Sequence, residues 1–351
     1  MLQKMDPDFC QNDPLPVIPG STRYPCQTSK MRTGAALSML ALGLSSTIAF
    51  AQPAGLPNKP VRIIVPNAAA GPNDLVARVI APKLSETIGQ TVVVDNRPSA
   101  NGVVGSEMAA HATPDGTVLE VGNSGTHGVN FTLYKKPTYD PVRDFAPITE
   151  VCYAPLVLVA NPSVAANNVK ELIAEAKRAP GKINIAVAGA TGELSGNLIK
   201  LLGGIDLNNI PYKGGAPAIT ALFSNESQLL LTLYSSLKGP IEAGKLKALG
   251  VTSAKRDPQL PNVPAIGETL KGYEVEFWVG FFAPAKTPRA VVNALNRELV
   301  RIINLPDVKQ NFTNQGYIVV ADSPDEFAAR VKRDTEKYRK VILESKMQQL
   351  D

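Results

Sequence analysis

Four short segments of this 351-residue chain offer the same chemistry. The first is Asn67-Ala68-Ala69-Ala70-Gly71, followed by Pro72, Asn73 and Asp74. Its small side chains let an anion approach the backbone. Pro72 suits a first helical turn, and Asn73 and Asp74 suit capping. The second is Ser124-Gly125-Thr126-His127, with two hydroxyls, a pliable glycine and an imidazole. The third is Gly189-Ala190-Thr191-Gly192-Glu193. The fourth is Tyr212-Lys213-Gly214-Gly215, where Lys213 can attract a carboxylate ahead of a helix opening near Pro217. Free N–H groups and aligned peptide dipoles at such helix starts favour negative charge. Each segment also has a plainer reading. A tight turn needs small residues without any ligand. A lone His is more often structural, a Lys is often solvated, and Glu193 can simply complement a helix dipole in water.

Groups for bond-making chemistry are scarce. The chain has two histidines, His111 and His127. It has no G-x-S-x-G elbow, no H-E-x-x-H and no Cys/His cluster at metal spacing. The first segment lacks the Lys-Ser/Thr of a P-loop and the glycine pattern of a dinucleotide fingerprint. No cofactor and no metal are expected. Candidates for general acid–base work reduce to His127, Asp74 and Glu193. The net charge of +5 comes without a basic block, which argues against nucleic acid as a partner.

Strands and helices must hold these segments. Val61–Pro66, Val118–Ser124, Asn184–Gly189 and the run before Lys213 read as strands, each ending at one of the four segments. After the first, Leu75, Val76, Val79, Ile80, Leu84 and Ile88 repeat at helical spacing and stop at Gly89. A further helix is expected from Glu193 to the Gly203-Gly204 pair. Another strand is expected from Leu156 to Asn161, and a last helix after the Ser323/Glu326 capping box. This alternation predicts βαβ units and a mostly parallel sheet. In such sheets ligands bind off the carboxyl ends of the strands, where all four segments lie. The chain is expected to leave a first lobe near Ala154-Pro155 and return near Gly272 to Trp278. Lobe I is then 52–155 plus 272–351, and lobe II is 156–271.

Residues 1–30 are polar and Pro-rich, but Met31-Arg32 opens an apolar run, Gly34 to Phe50, that ends in Ala49-Phe50-Ala51. That is the pattern of a secretory signal peptide, and the run is shorter than the ~20 residues a bilayer needs. Residues 1–51 are read as an upstream extension plus signal peptide, with Met31 as the true start. Cys10 and Cys26 precede the cut, so Cys152 has no partner for a disulfide. The expected location is the periplasm.

From about Pro60 to the C terminus the chain resembles the tripartite tricarboxylate transporter substrate-binding family, the Bug family of periplasmic receptors. The resembling phrases, in order, are KPVRIIVPNAAAGPND, VVVDNRPSANG, PDG, SGTHGVN, YDPVRDFAPIT, IPYKGGAPA, AGKLKALGVTSAKR, LPNVPAIGET and GFFAPAKTP. The resemblance implies a type II periplasmic-binding fold, two doubly wound α/β lobes joined by two crossing segments. It implies capture of a small organic, amino or aromatic acid by a single chain. Delivery would be to membrane subunits of a tripartite transporter or to a sensor kinase. It places the acid on amides and hydroxyls of Asn67–Asp74, Ser124–His127 and Gly189–Glu193, with Tyr212, Lys213, Tyr234 and Ser235 completing the set. Some residues depart from the family pattern. Ala70 and Pro72 stand in a turn usually richer in Gly. Asn73 stands for a common Thr, Glu193 for a common His and Thr232 for a frequent Asp. Ser235 replaces a common Pro.

Two other readings stay open. One is a periplasmic enzyme of the same shape. The other is the effector domain of a transcription regulator, which needs DNA-binding helices that residues 1–60 do not offer. The exported protein should begin at Gln52. Amino-terminal sequencing that finds residues 1–30 on the exported form would refute this.

Overall fold

The computed structural model describes residues 55–212, 214–345 and 347–351; the expected signal peptide and Lys213 lie outside them. The strands are β1 (Val61–Val65), β2 (Val92–Asn96), β3 (Val118–Asn123), β4 (Phe145–Ala160), β5 (Asn184–Ala188), β6 (Asn208–Tyr212), β7 (Leu229–Leu233), β8 (Lys247–Val251), β9 (Glu276–Pro284) and β10 (Ile318–Val319). They pair in the order β2-β1-β3-β9-β4-β7-β5-β6, with β8 and β10 also on β4. β1 is buried along almost its whole length, as a strand covered on both faces must be. The Pro72–Ile88 helix packs against it through Val76, Ile80, Leu84 and Ile88. It stops at Gly89, which takes the left-handed φ of 65° and donates its N–H to Ser85 O.

The sheet departs from the mostly parallel arrangement expected. Parallel pairing is confined to β2-β1-β3 and β7-β5-β6. Between these sets run β9 and β4, antiparallel to each other and to their outer neighbours. β4 is a 16-residue strand, of which only the last part was legible as Leu156–Asn161. From Phe145 to Pro155 it pairs with β9; from Leu156 onward it pairs with β7 and β8. Pro147 and Pro155 explain why its first part does not read as a strand. Each lacks an N–H donor; a register slip follows Pro147, and the partner changes at Pro155.

The Pro324–Glu344 helix begins at the expected capping box. Ser323 N–H donates to Glu326 Oε2 at 3.0 Å, and Glu326 N–H to Ser323 Oγ at 3.3 Å. Its Phe327 and Val331 pack with Phe145, Trp278 and Phe282. Farther along, Tyr338 and Ile342 enter the core that holds Leu156, Leu194 and Leu198. One helix therefore ties two cores together. Among the described residues, no helix is long and apolar enough to cross a membrane.

Gly280, central in β9, is required by crowding. A Cβ there would overlap the Phe327 ring and lie 2.8 Å from Thr149 O. Gly280→Ala should cost about 2 kcal/mol or more, as overpacked cores do. Urea unfolding at unchanged stability would contradict this packing.

Candidate functional site

The turn after β1 is held from beneath. Ala70 takes a left-handed φ of 62°. Its N–H donates to Asp74 Oδ2 at 2.8 Å. Arg78 Nε donates to both Asp74 oxygens at 3.0 and 2.9 Å, and Asn96 Nδ2 donates to Oδ1 at 2.9 Å. Burial would raise the Asp74 carboxyl, but these donors outweigh it and hold it below its usual value. Asn73 is buried too, donating to Val121 O at 2.7 Å. The polar atoms of Asn73 and Asp74, both expected to meet a ligand, are bonded within the protein. The Gly71 amide is likewise taken, by Ala68 O at 3.2 Å. Asn67 is half-buried, and Ala68 and Ala69 stand exposed.

Asn123, the last residue of β3, was not among the expected site residues, yet it organises the second turn. Its Oδ1 accepts the N–H groups of Gly125 at 2.8 Å and Thr126 at 3.1 Å. Its Nδ2 donates to Asn73 Oδ1 at 2.9 Å and reaches Asn67 Oδ1 at 3.4 Å. The Gly125 and Thr126 amides, expected to hold an anion, are thus already satisfied. His127 is wholly buried, stacked on Phe282 with its centroid 3.8 Å away, and Thr126 Oγ1 lies 2.9 Å from Nδ1. Its ring packs among Tyr139, Phe145 and Phe282.

The third segment meets the second directly. Ser124 Oγ lies 2.9 Å from Thr191 Oγ1, and both side chains are buried. The helix that follows β5 runs Gly189–Gly203, so it begins four residues before Glu193. The first four N–H groups of a helix have no intrahelical partner. No side chain caps this helix, and Gly189 is exposed. Glu193 is half-buried, and its carboxyl is raised by burial. Among the described residues that carboxylate has no ion-pair or hydrogen-bond partner. Parallel pairing sets Tyr212 beside Ala188, and the Tyr212 hydroxyl is buried without a partner among the described residues. Tyr234 is buried and donates to Glu242 at 3.2 Å, and Ser235 is exposed.

The structure thus gathers the first three turns. Asn67, Asn73 and Asn123 join the first to the second, and Ser124 with Thr191 joins the second to the third. The arrangement suits holding an anion on unsatisfied amides. It does not couple a nucleophile to a base, since Ser124 bonds Thr191 while His127 bonds Thr126. Burial raises the Cys152 thiol well above its usual value, against a thiolate there.

Residues 76–347 match the family described as tripartite tricarboxylate transporter family receptor. The chain is 36% identical over 312 residues to the UPF0065 protein of the tcbD-tcbE intergenic region of Pseudomonas sp. (strain P51), covering 88% of this chain and 92% of that one. It is similar to the solved structure of R. palustris Rpa4515 with adipate, at a TM-score of 0.76 and 31% identity over 83% of this chain and 98% of that one. It is also similar to the periplasmic binding protein BugD, at a TM-score of 0.74 and 35% identity, with 83% and 98% covered. The fold is accordingly that of periplasmic binding proteins, two doubly wound α/β lobes joined by two crossing segments.

Replacing Asn123 by Ala would leave the Gly125 and Thr126 amides and Asn73 Oδ1 without partners. Orphaned buried polar groups make Asn123→Ala a loss of about 3 kcal/mol. Denaturant titration showing less than about 1 kcal/mol would mean that the carboxamide is not what holds the two turns.

Proposed function

The chain belongs to the tripartite tricarboxylate transporter family of receptors, and from that premise we propose that it closes two lobes on a small organic carboxylate in the periplasm. The observation that carries this is the buried Ser124–Thr191 contact of 2.9 Å beside the uncapped start of the Gly189–Gly203 helix. Segments 67 residues apart in the chain present hydroxyls and unsatisfied amides to the same space. In this reading 52–155 plus 272–351 form one lobe and 156–271 the other. The crossings lie where β4 changes partners after Pro155 and where the chain enters β9 at Glu276. Ligand contacts come from Asn67, the Ala68 and Ala69 backbone, Ser124, the Gly189–Gly192 amides, Thr191 and Tyr212. Ser235, exposed beside Tyr234, is a further candidate contact. In this reading the cleft binds rather than transforms its occupant, because the Ser124 and Thr191 hydroxyls bond each other rather than a base. The family points to membrane transporter subunits as the recipients of the cargo.

Glu193 sets the charge of that cargo. A carboxylate about 5 Å from it would be repelled by roughly 3 kcal/mol at an effective dielectric of 20. The ligand expected is an acid with a single carboxylate held away from Glu193 and an amine, amide or hydroxyl facing Glu193 itself. Calorimetry and solution scattering with mono-, di- and tricarboxylates, on wild type and Glu193→Gln, test both points. At least one small acid should bind wild type and shrink its radius of gyration. The substitution should improve di- and tricarboxylate binding by about tenfold or more. If no acid binds, the ligand class is wrong, and binding without compaction would refute the closing clamp. Equal affinities in the two proteins, or tight citrate binding by wild type, would refute the role of Glu193.

A further inference from the structure

Behind the Ser124–Thr126 turn lies a buried polar pair that the ligand site does not use. Glu120, inside β3, and His127 are both fully buried. Glu120 Oε1 accepts from the Ser106 hydroxyl at 2.7 Å and lies 3.9 Å from His127 Nδ1. The imidazole is sandwiched in aromatics, 15° from coplanar with Phe282 and edge-on to Phe145 at 4.4 Å. Gly122 makes room for it: any Cβ at that position would overlap Nδ1.

The surroundings of the two ring nitrogens differ. Thr126 Oγ1 lies at 2.9 Å and Glu120 Oε1 at 3.9 Å, both on the Nδ1 side. Nε2 is buried with no hydrogen-bond partner among the described residues. A neutral imidazole has one N–H, and a buried N–H without an acceptor is the costlier group to orphan. The proton therefore belongs on Nδ1. Thr126 then completes a chain of donors. Its Oγ1 accepts from His127 Nδ1 and from Asn123 N–H at 2.9 Å, and donates to Asn123 O at 3.1 Å. Asn123 in turn holds the Gly125 and Thr126 amides.

We propose that His127 is a positioning residue for the Ser124–Thr126 turn, acting by donation from Nδ1 to Thr126 Oγ1. The proposal depends on the receptor reading only for what the turn serves. Its chemistry concerns the ring and the turn alone.

Electrostatics agree with a neutral pair at neutral pH. Burial pushes the Glu120 carboxyl up to about 8 and the His127 imidazole down to about 3. Tyr139 also faces the pair, its phenol raised by burial and then by Glu120. Ser106 and Thr126 bring hydroxyls, and Phe145 and Phe282 bring only rings. The signs follow. Glu120 is neutral in the fold but ionises above its ordinary 4.5 when unfolded, so its stabilisation is full below 4.5 and is lost as pH rises through about 8. His127 is neutral in the fold but protonates below its ordinary 6.5 when unfolded, so its stabilisation is full above 6.5 and is lost as pH falls through about 3.

Long-range proton–nitrogen NMR of the labelled protein tests the tautomer. The chain has only two histidines, and His111 is exposed, so the two rings are easily told apart. His127 should show a protonated Nδ1 and a bare Nε2, unchanged from about pH 5 to 8. A ring protonated at Nε2, or an imidazolium in that range, overturns the proposal. Two variants separate positioning from packing. His127→Phe keeps the stacking and loses the donor; His127→Asn keeps a donor near the Nδ1 position and loses the stacking. Exchange of the Gly125 and Thr126 amides should speed up about tenfold in His127→Phe and stay within about threefold in His127→Asn, as expected for one buried hydrogen bond. The reverse order would make His127 a packing residue only. If His127→Asn does not fold, the wild-type tautomer still decides. None of these measurements needs a ligand, so a failure of the receptor reading leaves them interpretable.

Discussion

A strand that ends beneath a tight turn leaves buried amides in need of acceptors, and here one carboxamide supplies them. Asn123 accepts two turn amides through Oδ1 and donates through Nδ2 to the turn that follows β1. Were it absent, the second turn would lose its internal acceptor and the first its tie to the sheet end. The neighbouring supports follow the same rule. Asp74 collects Ala70, Arg78 and Asn96, and so holds Ala70 in a left-handed conformation that costs an L-residue roughly 1–2 kcal/mol.

Satisfying these groups changes what each turn can offer an anion. The amides of Gly71, Gly125 and Thr126 are already taken, so they add little attraction for a ligand. The start of the Gly189–Gly203 helix also lacks a side-chain cap, and Thr191 in its first turn meets Ser124. The turn around Asn123 is internally bonded, whereas the helix start at Gly189 carries no side-chain cap.

The sheet supplies the mechanical frame. β4 pairs with β9 up to Pro155 and with β7 from Leu156, so Pro155 marks the point where its partners change. The Pro324–Glu344 helix spans two cores with Phe327 in one and Tyr338 in the other. An Arg330 guanidinium beneath it lies 2.7 Å from Glu276 and 3.4 Å from Glu150, fastening the helix to β9 and β4. Any bending at the crossings must therefore occur against this helix.

Local rules were enough to read much of this from the sequence. Ser323 and Glu326, Gly89, the strand–turn–helix junctions and the small residues at their tips all act through neighbours a few positions away, so their spacing reveals them. The sequence determined by itself that strands end at four anion-suited turns and that no local catalytic motif stands among them. It did not reveal β4 before Leu156, because Pro147 and Pro155 mask a strand whose partners lie more than a hundred residues away. Nor did it separate support from contact within the turns. Asn73, Asp74 and His127 look as available as Ser124 or Gly189 until their partners, Val121, Arg78 and Phe282, are in place. Burial and hydrogen-bond satisfaction are properties of the assembled fold, so only the tertiary structure could show Asn123 holding two turns together and the Gly189 helix start without a side-chain cap.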